Sequence, residues 1–286
     1  MINSWANGEL LVMIALIALA SLILGMGLPV TAAYIVLGTL SAPALYKLIA
    51  ESQLLDLLVS GQLPEQAKAI FMLAAPDKLD LLNAPMTLET AKEMIALVPA
   101  DFVETLLEQS LGLEAISLAL LSAHLIIFWL SQDSNVTPPV CLTAFAAATI
   151  AKTPPMRTGL MAWKIAKGLY LVPLLIAYTN LVSWDVTSVL VTGGFAIIGT
   201  YAFVAAIEGY LESKINLLTR AVLIALGVAL VWPDISVVIR LVCVALFIGL
   251  FIHTARQYDA NQVKKESEDE QESLPQTEPD TVASSL

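Results

Sequence analysis

Charged residues are scarce in this chain of 286 residues, where they make up 14% of the sequence against 58% hydrophobic residues. Soluble globular domains carry about a quarter of their residues as charged ones. The composition therefore excludes an ordinary soluble fold and indicates a polytopic membrane protein in a lipid bilayer. Basic residues are scarcer still, with 14 lysines and arginines against 25 acids. We expect no nucleic-acid partner, because no basic surface typical of one is present.

Cysteines and catalytic motifs are also few. Cys141 and Cys243 both lie in apolar runs, where packed thiols are expected, so no disulfide or metal framework is predicted. The sequence contains no His-Glu-x-x-His helix, phosphate-binding loop or Gly-x-Ser-x-Gly elbow. Met1 to Glu9 lacks the basic start of a signal peptide. We therefore expect no enzyme and no bound cofactor.

What the chain has instead is two apolar stretches of equal length, Leu10 to Tyr46 and Ala115 to Ala151, in which Asp133 is the only charged residue. A continuous helix of that length would measure about 55 Å, whereas the hydrocarbon core of a bilayer is about 30 Å thick. Glycine, proline and small polar residues break each stretch near its middle. This pattern predicts hairpin arms or the halves of a discontinuous helix, which are the best sequence indication of a transporter binding site.

The first break contains residues suited to a bend at membrane depth. Gly25 and Gly27 permit a close backbone approach and a positive φ. Pro29 suits the start of a second arm, and Thr31 offers a hydroxyl. Because non-helical backbone inside a membrane must be covered by protein or water, these residues are candidates for ion and substrate binding.

The second break offers more oxygen atoms. Pro138 and Pro139 remove two backbone donors and disfavour helical geometry before them, which leaves carbonyl groups open to a ligand. Asp133 is a candidate because ionisable residues inside membranes are functional by default, and the alternative is a solvated loop residue or a helix cap. Three further candidates add side-chain oxygens: Ser134, Asn135 and Thr137. His124, in the same stretch, is expected to make a hydrogen bond between helices.

Composition divides the rest of the chain. Residues 51–114 carry 11 acids and 3 lysines, with apolar residues at helical spacing. We predict a re-entrant hairpin of a transport domain in residues 1–50, an acidic helical extramembrane insert in 51–114, a discontinuous helix and a following transmembrane helix in 115–181, additional transmembrane helices in 182–256, and a disordered acidic cytoplasmic tail in 257–286.

Lysine and arginine positions predict the orientation. They crowd between Lys152 and Lys167, recur between Lys214 and Arg220, and follow the last apolar run from Arg256. The positive-inside rule makes these segments cytoplasmic and places the acidic insert outside. The insert is then either a cap packed on its own membrane domain or a docking surface for a partner, since complementary charge would steer association.

The residues of the two breaks resemble the large membrane subunit of tripartite ATP-independent periplasmic (TRAP) transporters, particularly the fused small-plus-large permeases. Gly25-Met26-Gly27-Leu28-Pro29-Val30-Thr31 is similar to the second hairpin motif of that family. Asn135-Val136-Thr137-Pro138-Pro139-Val140 is similar to its second discontinuous helix. Pro155-Met156-Arg157-Thr158-Gly159 and Ala162-Trp163-Lys164 are similar to the link that follows. The resemblance is specific because several spaced motifs occur in order.

This resemblance implies an all-α polytopic membrane protein in which a re-entrant hairpin and a discontinuous helix belong to an ion-transporter-like inverted-repeat fold, with extra C-terminal transmembrane helices. It implies a bacterial inner-membrane permease component of a sodium-coupled, binding-protein-dependent secondary transporter that imports organic acids such as C4-dicarboxylates. The implied partners are a periplasmic substrate-binding protein, the remaining permease half and a small membrane subunit. The alternative is a truncated or non-transporting membrane scaffold, because no first repeat is found before Leu10.

Sodium is the coupling ion that the resemblance implies. We expect the two breaks to meet and to bind it through five residues that offer carbonyl or hydroxyl oxygens. These are Gly25, Gly27, Thr31, Asn135 and Thr137.

Overall fold

The computed structural model of the chain describes residue 6 and residues 8–139, 141–232 and 235–273, without the side chains of Ser134, Lys167, Asp259, Asn261 and 263–273. Its helices are α1 (Leu10–Gly25), α2 (Val30–Ser60), α3 (Glu65–Ala74), α4 (Leu88–Ala96), α5 (Ala100–Ser131), α6 (Leu142–Ala151), α7 (Pro155–Ile165), α8 (Leu171–Tyr178), α9 (Val186–Glu208), α10 (Leu217–Val231) and α11 (Val237–Ser273). Short 3₁₀ helices cover Pro76–Asn83, Gln132–Asn135 and Ala166–Tyr170, and strands β1 (Tyr210–Leu211) and β2 (Ser213–Lys214) form a small antiparallel hairpin.

The predicted all-α polytopic class is confirmed. Among the described residues, four helices are long and apolar enough to cross a membrane: α2, α5, α9 and α11 as far as Tyr258. A fifth span results if α7 and the segment Gly168–Tyr178, which meet at an angle of 46°, count as one bent span. The chain divides into two compact units, Met1–Gly193 and Gly194–Leu286, and each is described separately below.

The first unit begins with the predicted break. Helix α1 ends at Gly25, a turn follows, and α2 starts after Pro29, whose ring lacks the N–H that a first helical turn leaves unpaired. Helix α2 packs along α5, and α1 packs against both. Their buried side chains, among them Ile17, Leu45 and Ile126, belong to one hydrophobic core. The predicted helix-packing bond is present, since the Tyr34 hydroxyl and His124 Nδ1 are 3.2 Å apart.

Helix α2 continues past the predicted domain boundary at residue 50. It stays helical through Pro43 and through Glu51 to Ser60, so the first ten residues of the acidic insert prolong the second arm of the hairpin. Leu54 and Leu58 explain this continuation, because both are buried in the core that α1 and α5 share. Charged residues become frequent from residue 51, but the apolar residues keep the spacing of the same helix.

The acidic insert packs on its own unit. Most apolar positions that were predicted from helical spacing are buried in the common core, including Leu54, Ile70, Val103 and Leu106, whereas Leu73 is 80% exposed. Lys92 of α4 donates to the Glu9 carboxylate at 3.1 Å and so connects the insert to the start of α1. This packing is the one expected of a cap, and the docking role stays a prediction.

Helix α5 leaves the insert through a kink at Gly112, where φ is 76° and ψ is 165°. A side chain with a Cβ is strained at such a positive φ, which explains the glycine. The part after the kink, from Leu113 to Ser131, has a length of about 28 Å at 1.5 Å per residue. That part matches the thickness of one bilayer core.

The second unit contains a close helix crossing. A Cβ added to Gly199 of α9 would lie 2.9 Å from Val231 Cγ2, and one added to Gly227 of α10 would lie 3.0 Å from the Gly199 carbonyl oxygen. Small residues at such positions let two helix backbones approach closely, as in many membrane proteins. Arg220 then donates to the carbonyl oxygens of Ala206 and Ile207 at 2.7 and 2.9 Å and so satisfies the end of α9.

Helix α11 corrects the prediction for the tail. Disorder was expected from residue 257, but α11 continues to Ser273. The segment that follows the apolar span is rich in Gln, Lys and Glu, which are strong helix formers, and it extends a helix that has already been nucleated. The remainder of the predicted tail, residues 274–286, lies outside the described residues.

Candidate functional site

The first break is an open turn. Met26 to Pro29 separate α1 from α2, and the N–H groups of Gly27 and Leu28 donate back to the Leu24 carbonyl oxygen at 3.1 and 2.9 Å. Gly25 is buried, whereas Gly27, Pro29 and Thr31 are exposed. The ends of the two arms therefore present Thr31 and the turn backbone at a surface of this chain.

The positive φ predicted for the two glycines is absent, and so is the close approach predicted at Gly27. Among the described residues, the glycines with a positive φ are Gly8, Gly61, Gly112 and Gly209, so neither Gly25 nor Gly27 is needed for that conformation. A Cβ on Gly27 would meet nothing within 4 Å, so no close approach requires a glycine there. The turn closes with ordinary φ values, because hydrogen bonds of the preceding helical turn continue through it.

The second break is held from several sides. Helix α5 ends at Ser131, the 3₁₀ helix Gln132–Asn135 follows, and α6 begins at Leu142. The N–H groups of Val136 and Thr137 donate to the Asp133 carbonyl oxygen at 3.1 and 3.0 Å. The peptide bond between Pro138 and Pro139 is cis. Val140 and the side chain of Ser134, a predicted site residue, lie outside the described residues.

Asp133 lies at the centre of this break, with only 3% of its surface exposed. Its Oδ1 accepts from the Thr137 hydroxyl at 2.6 Å, and its Oδ2 accepts from the Tyr170 hydroxyl at 2.8 Å. The Tyr170 oxygen in turn accepts from Trp163 Nε1 at 3.1 Å. This burial excludes the alternative that Asp133 is a solvated loop residue.

Asn135 is held more loosely than Asp133. The Thr143 hydroxyl of α6 donates to Asn135 Oδ1 at 3.3 Å, and Asn135 Nδ2 donates to Gln132 Oε1 at 3.5 Å. Thr137 is buried, Pro138 is half-buried, and Pro139 is exposed. Asp133, Asn135 and Thr137 therefore lie in one loop, in which Asp133 bonds to Thr137 and Asn135 bonds to Gln132 and Thr143.

The two breaks begin next to each other. The Ser21 hydroxyl of α1 donates to the Leu130 carbonyl oxygen at 2.8 Å, and both residues are buried. Ser21 lies one helical turn before Gly25, and Leu130 lies in the last turn of α5. Helix α1 also packs on the 3₁₀ helix Gln132–Asn135. The two segments that the sequence predicts to meet thus start from a shared, buried contact.

Three residues of the site were missed from the sequence. Tyr170 contacts Asp133 from the segment after the break, Trp163 contacts Tyr170, and Gly159 of α7 faces the break closely. A Cβ on Gly159 would lie 2.5 Å from Cys141 Sγ and 3.4 Å from Pro138 Cγ. Gly159 and Trp163 belong to motifs on which the family resemblance depends, so a signal for them was present. Tyr170 had no such signal.

A model of a protein family, described as the tripartite ATP-independent periplasmic transporter, DctM component, matches residues 1–184. The chain belongs to the DctM family. No curated protein and no solved structure matches it. The matched residues include both breaks, the acidic insert and the segment that carries Gly159, Trp163 and Tyr170. The chain is thus a membrane component of a TRAP transporter, a family of transporter permeases rather than of enzymes.

Because the chain belongs to a transporter family, its two breaks can be compared with the interrupted helices of transporters. Interrupted helices in transporters bind substrate and ions where backbone groups leave the helical ladder, and in this DctM-family chain both interruptions occur in the first unit. Among the described residues no group of three or more His, Cys, Asp or Glu side chains is placed to hold a transition metal. The oxygen atoms at the breaks are hydroxyl, amide, carboxylate and backbone oxygens, the types that hard cations prefer.

Proposed function

We propose that this chain is the ion-binding permease component of a sodium-coupled, binding-protein-dependent transporter that imports organic acids of the C4-dicarboxylate type. The observation that supports this most is the second break, where a buried carboxylate, two amide or hydroxyl side chains and non-helical backbone lie together beside the hairpin. Sodium requires a small set of oxygen ligands, and this loop offers them in an otherwise apolar segment.

The ion ligands that we propose come from both breaks. Thr137 and Asn135 supply side-chain oxygens from the second break, and Thr31 with the backbone of Gly25 and Gly27 supplies oxygens from the first. The shared contact between Ser21 and Leu130 supports this pairing, because it fixes the entry points of the two breaks relative to each other. The organic anion would bind beside the ion, where the cation offsets its negative charge.

The partners that we propose are a periplasmic substrate-binding protein, the remaining permease half and a small membrane subunit, in the inner membrane of a bacterium. The acidic insert supports a water-facing surface, since its charged residues lie outside its buried apolar core, and the positive-inside rule places that surface outside the cytoplasm. Uptake should therefore stop when the binding protein is omitted, while the sodium-binding properties of the membrane part remain.

Uptake into vesicles tests the proposal. The chain is reconstituted with its partner subunits, and uptake of a radiolabelled C4-dicarboxylate is measured with and without an inward sodium gradient. We expect uptake to require sodium, and Thr137→Ala to raise the half-saturating sodium concentration roughly tenfold, as the loss of one charge-assisted contact does. Thr39→Ala is the matched control, because the Thr39 hydroxyl is exposed and bonds only within its own helix.

Two results would overturn the proposal. One is uptake that proceeds equally well with potassium or with a proton gradient in place of sodium. The other is a complete and folded transporter that takes up no organic acid in any ionic condition, which would favour a scaffold role.

A further inference from the structure

Asp133 is linked to three residues through a directed set of hydrogen bonds. The indole N–H of Trp163 can only donate, so the Tyr170 oxygen accepts from it and the Tyr170 hydroxyl hydrogen goes to Asp133 Oδ2. Thr137 donates its own hydroxyl hydrogen to Asp133 Oδ1 at 2.6 Å. Both carboxylate oxygens are therefore engaged by groups of the protein.

The direction of the Thr137 bond matters for ion binding. A threonine hydroxyl has one hydrogen and two acceptor lone pairs. With its hydrogen directed to Asp133, the Thr137 oxygen offers only its lone pairs to its other neighbours, among which Tyr170 also interacts with it. A cation can then contact the Thr137 oxygen without first turning the hydroxyl, which is the advantage of a preorganised site.

We propose that Asp133 is a positioning residue, which orients the Thr137 hydroxyl oxygen toward the sodium ion instead of binding the ion itself, and that Tyr170 fixes the Asp133 carboxylate for this task. The inference rests on the proposed sodium site and deepens it. It also makes the segment after the break part of the site. Trp163 bonds to Tyr170, Tyr170 fixes Asp133, and Asp133 orients Thr137 toward the ion.

Packing of the following helix supports this division of roles. Gly159 of α7 lies so close to Cys141 and Pro138 that a Cβ would collide with Cys141. The Trp129 indole of α5 donates to the Leu169 carbonyl oxygen at 3.0 Å, next to Tyr170. These contacts hold the Tyr170 segment against both ends of the break, so the Tyr170 hydroxyl has a fixed position relative to Asp133.

A double-mutant cycle distinguishes positioning from direct ligation. The purified transporter is titrated with sodium, with choline as the replacing cation, and the sodium concentration that gives half of the sodium-induced rise in melting temperature is recorded. Thr137→Ala, Asp133→Asn and the double variant are compared with the wild type. We expect each single change to raise this concentration, roughly tenfold for Thr137→Ala, and the double variant to raise it no further than Thr137→Ala alone. Thr137→Ala removes the ligand, whereas Asp133→Asn weakens the charge-assisted bond that orients it, so both changes act through the same contact.

Tyr170→Phe is the second variant, since it removes one hydroxyl and keeps the ring. We expect it to raise the half-maximal sodium concentration several-fold in the wild-type background and to have no effect in the Thr137→Ala background. Tyr178→Phe, at the end of the helix α8 that directly follows Tyr170 and 41% exposed, is its control and should leave the titration unchanged. If Asp133→Asn fails to fold, the Tyr170→Phe cycle gives the same decision.

Each outcome decides a different point. A wild-type protein without a sodium response overturns the proposed function and the positioning role with it. A wild-type response that Thr137→Ala leaves intact overturns the role of Thr137 as a ligand, and therefore that of Asp133 as its positioning residue. An Asp133→Asn effect that persists in full in the Thr137→Ala background overturns positioning alone and assigns Asp133 as a direct ligand.

Discussion

The two breaks interrupt stretches of equal length, but different parts of the protein hold them. At the first break, Gly27 and Thr31 are exposed, and the backbone bonds back to the preceding helical turn. At the second break, Asp133 and Thr137 are buried, and Tyr170 donates to Asp133 from a helix further along the chain. An interruption in a sequence thus predicts where a helix ends, whereas side chains elsewhere decide how firmly the break is held.

This difference gives each break its own part in the proposed ion site. The second break offers an oriented ligand in Thr137, because the Thr137 hydroxyl already donates to the Asp133 carboxylate. Among the described residues, no side-chain hydrogen bond joins the turn Met26 to Pro29 to another element, so the first break can change its conformation without breaking one. We expect the second break to keep its shape with and without sodium, and the first break to adapt to the ion.

The largest expected effect is the all-or-none difference in topology between the two interrupted segments. If the first is a re-entrant hairpin, its ends lie on one side of the membrane, whereas the ends of the second lie on opposite sides. Single cysteines at Glu9 and Ser60, at the two ends of the first segment, and at Ser183 should react with a membrane-impermeant maleimide added outside intact cells. Those at Thr153 and Lys214 should react only after lysis. The wild-type chain is the control, because Cys141 and Cys243 are buried. Outside labelling at Thr153 would contradict the assignment.

A pair of glycines tests how firmly each break is held. Gly159→Ala should lower the free energy of unfolding by about 1–3 kcal/mol, because its Cβ would overlap Cys141 next to the second break. Gly27→Ala in the first break should leave the stability unchanged or raise it by less than about 1 kcal/mol, since its Cβ meets open space and its φ is ordinary. Thermal unfolding in detergent measures both, and equal losses for the two variants would remove the distinction between the breaks.

The contact that joins the two segments should have a smaller effect. Ser21→Ala removes the buried hydrogen bond to the Leu130 carbonyl oxygen, and we expect a loss of about 1 kcal/mol in unfolding free energy. Ser117→Ala is a matched control, because its exposed hydroxyl bonds only to Leu113 in its own helix. A melting temperature that falls no more for Ser21→Ala than for Ser117→Ala would show that this contact does not couple the breaks.

The smallest effect is expected at Asp185, the exposed counterpart of Asp133. Hydrogen bonds from the Ser188 side chain and from the Ser188 and Thr187 backbone at the start of α9 hold the pKa of Asp185 below its ordinary value. A lowered folded-state pKa stabilises the protein above the unfolded-state pKa, and the contribution is lost as the pH falls through the folded value. Asp185→Ala should therefore lower the melting temperature slightly at pH 7, and the difference from wild type should begin to shrink near the ordinary pKa of 3.8 and disappear as the pH falls through the lower folded-state pKa. A difference that is constant with pH would contradict this account.

Spacing predicted both breaks and the helices around them, because a long apolar run must be interrupted to fit a bilayer. The same reasoning identified Asp133 and Thr137 as candidate site residues, because both lie in the short polar break, but it did not predict the hydrogen bond between them. It could not identify Tyr170, which lies 37 residues from Asp133 and contacts it only after α6 and α7 have folded back. Contacts between distant segments depend on packing that a local pattern does not contain.

Composition misled at two places for physical reasons. The acidic residues from Glu51 onward suggested a new domain, yet Leu54 and Leu58 keep α2 helical and buried. The polar residues from Gln257 suggested disorder, but they continue a helix that the apolar span had begun. In both cases a helix continues from an apolar segment into a polar one, whose composition alone predicts a different structure.

The kink at Gly112 has a mechanical consequence. The acidic insert lies at the far ends of two helices whose other ends lead to the two breaks: α2 is one continuous helix of 31 residues, whereas α5 has a joint at Gly112. We expect a displacement of the insert to pass along α2, which stays helical through Pro43, to the first break, and the kink at Gly112 to weaken its passage along α5 to the second. Pairs of spin labels should therefore show a narrower distance distribution between Ile35 and Ser60 than between Glu108 and Leu120. The break that we expect to adapt to the ion would also be the one that responds to whatever contacts the insert.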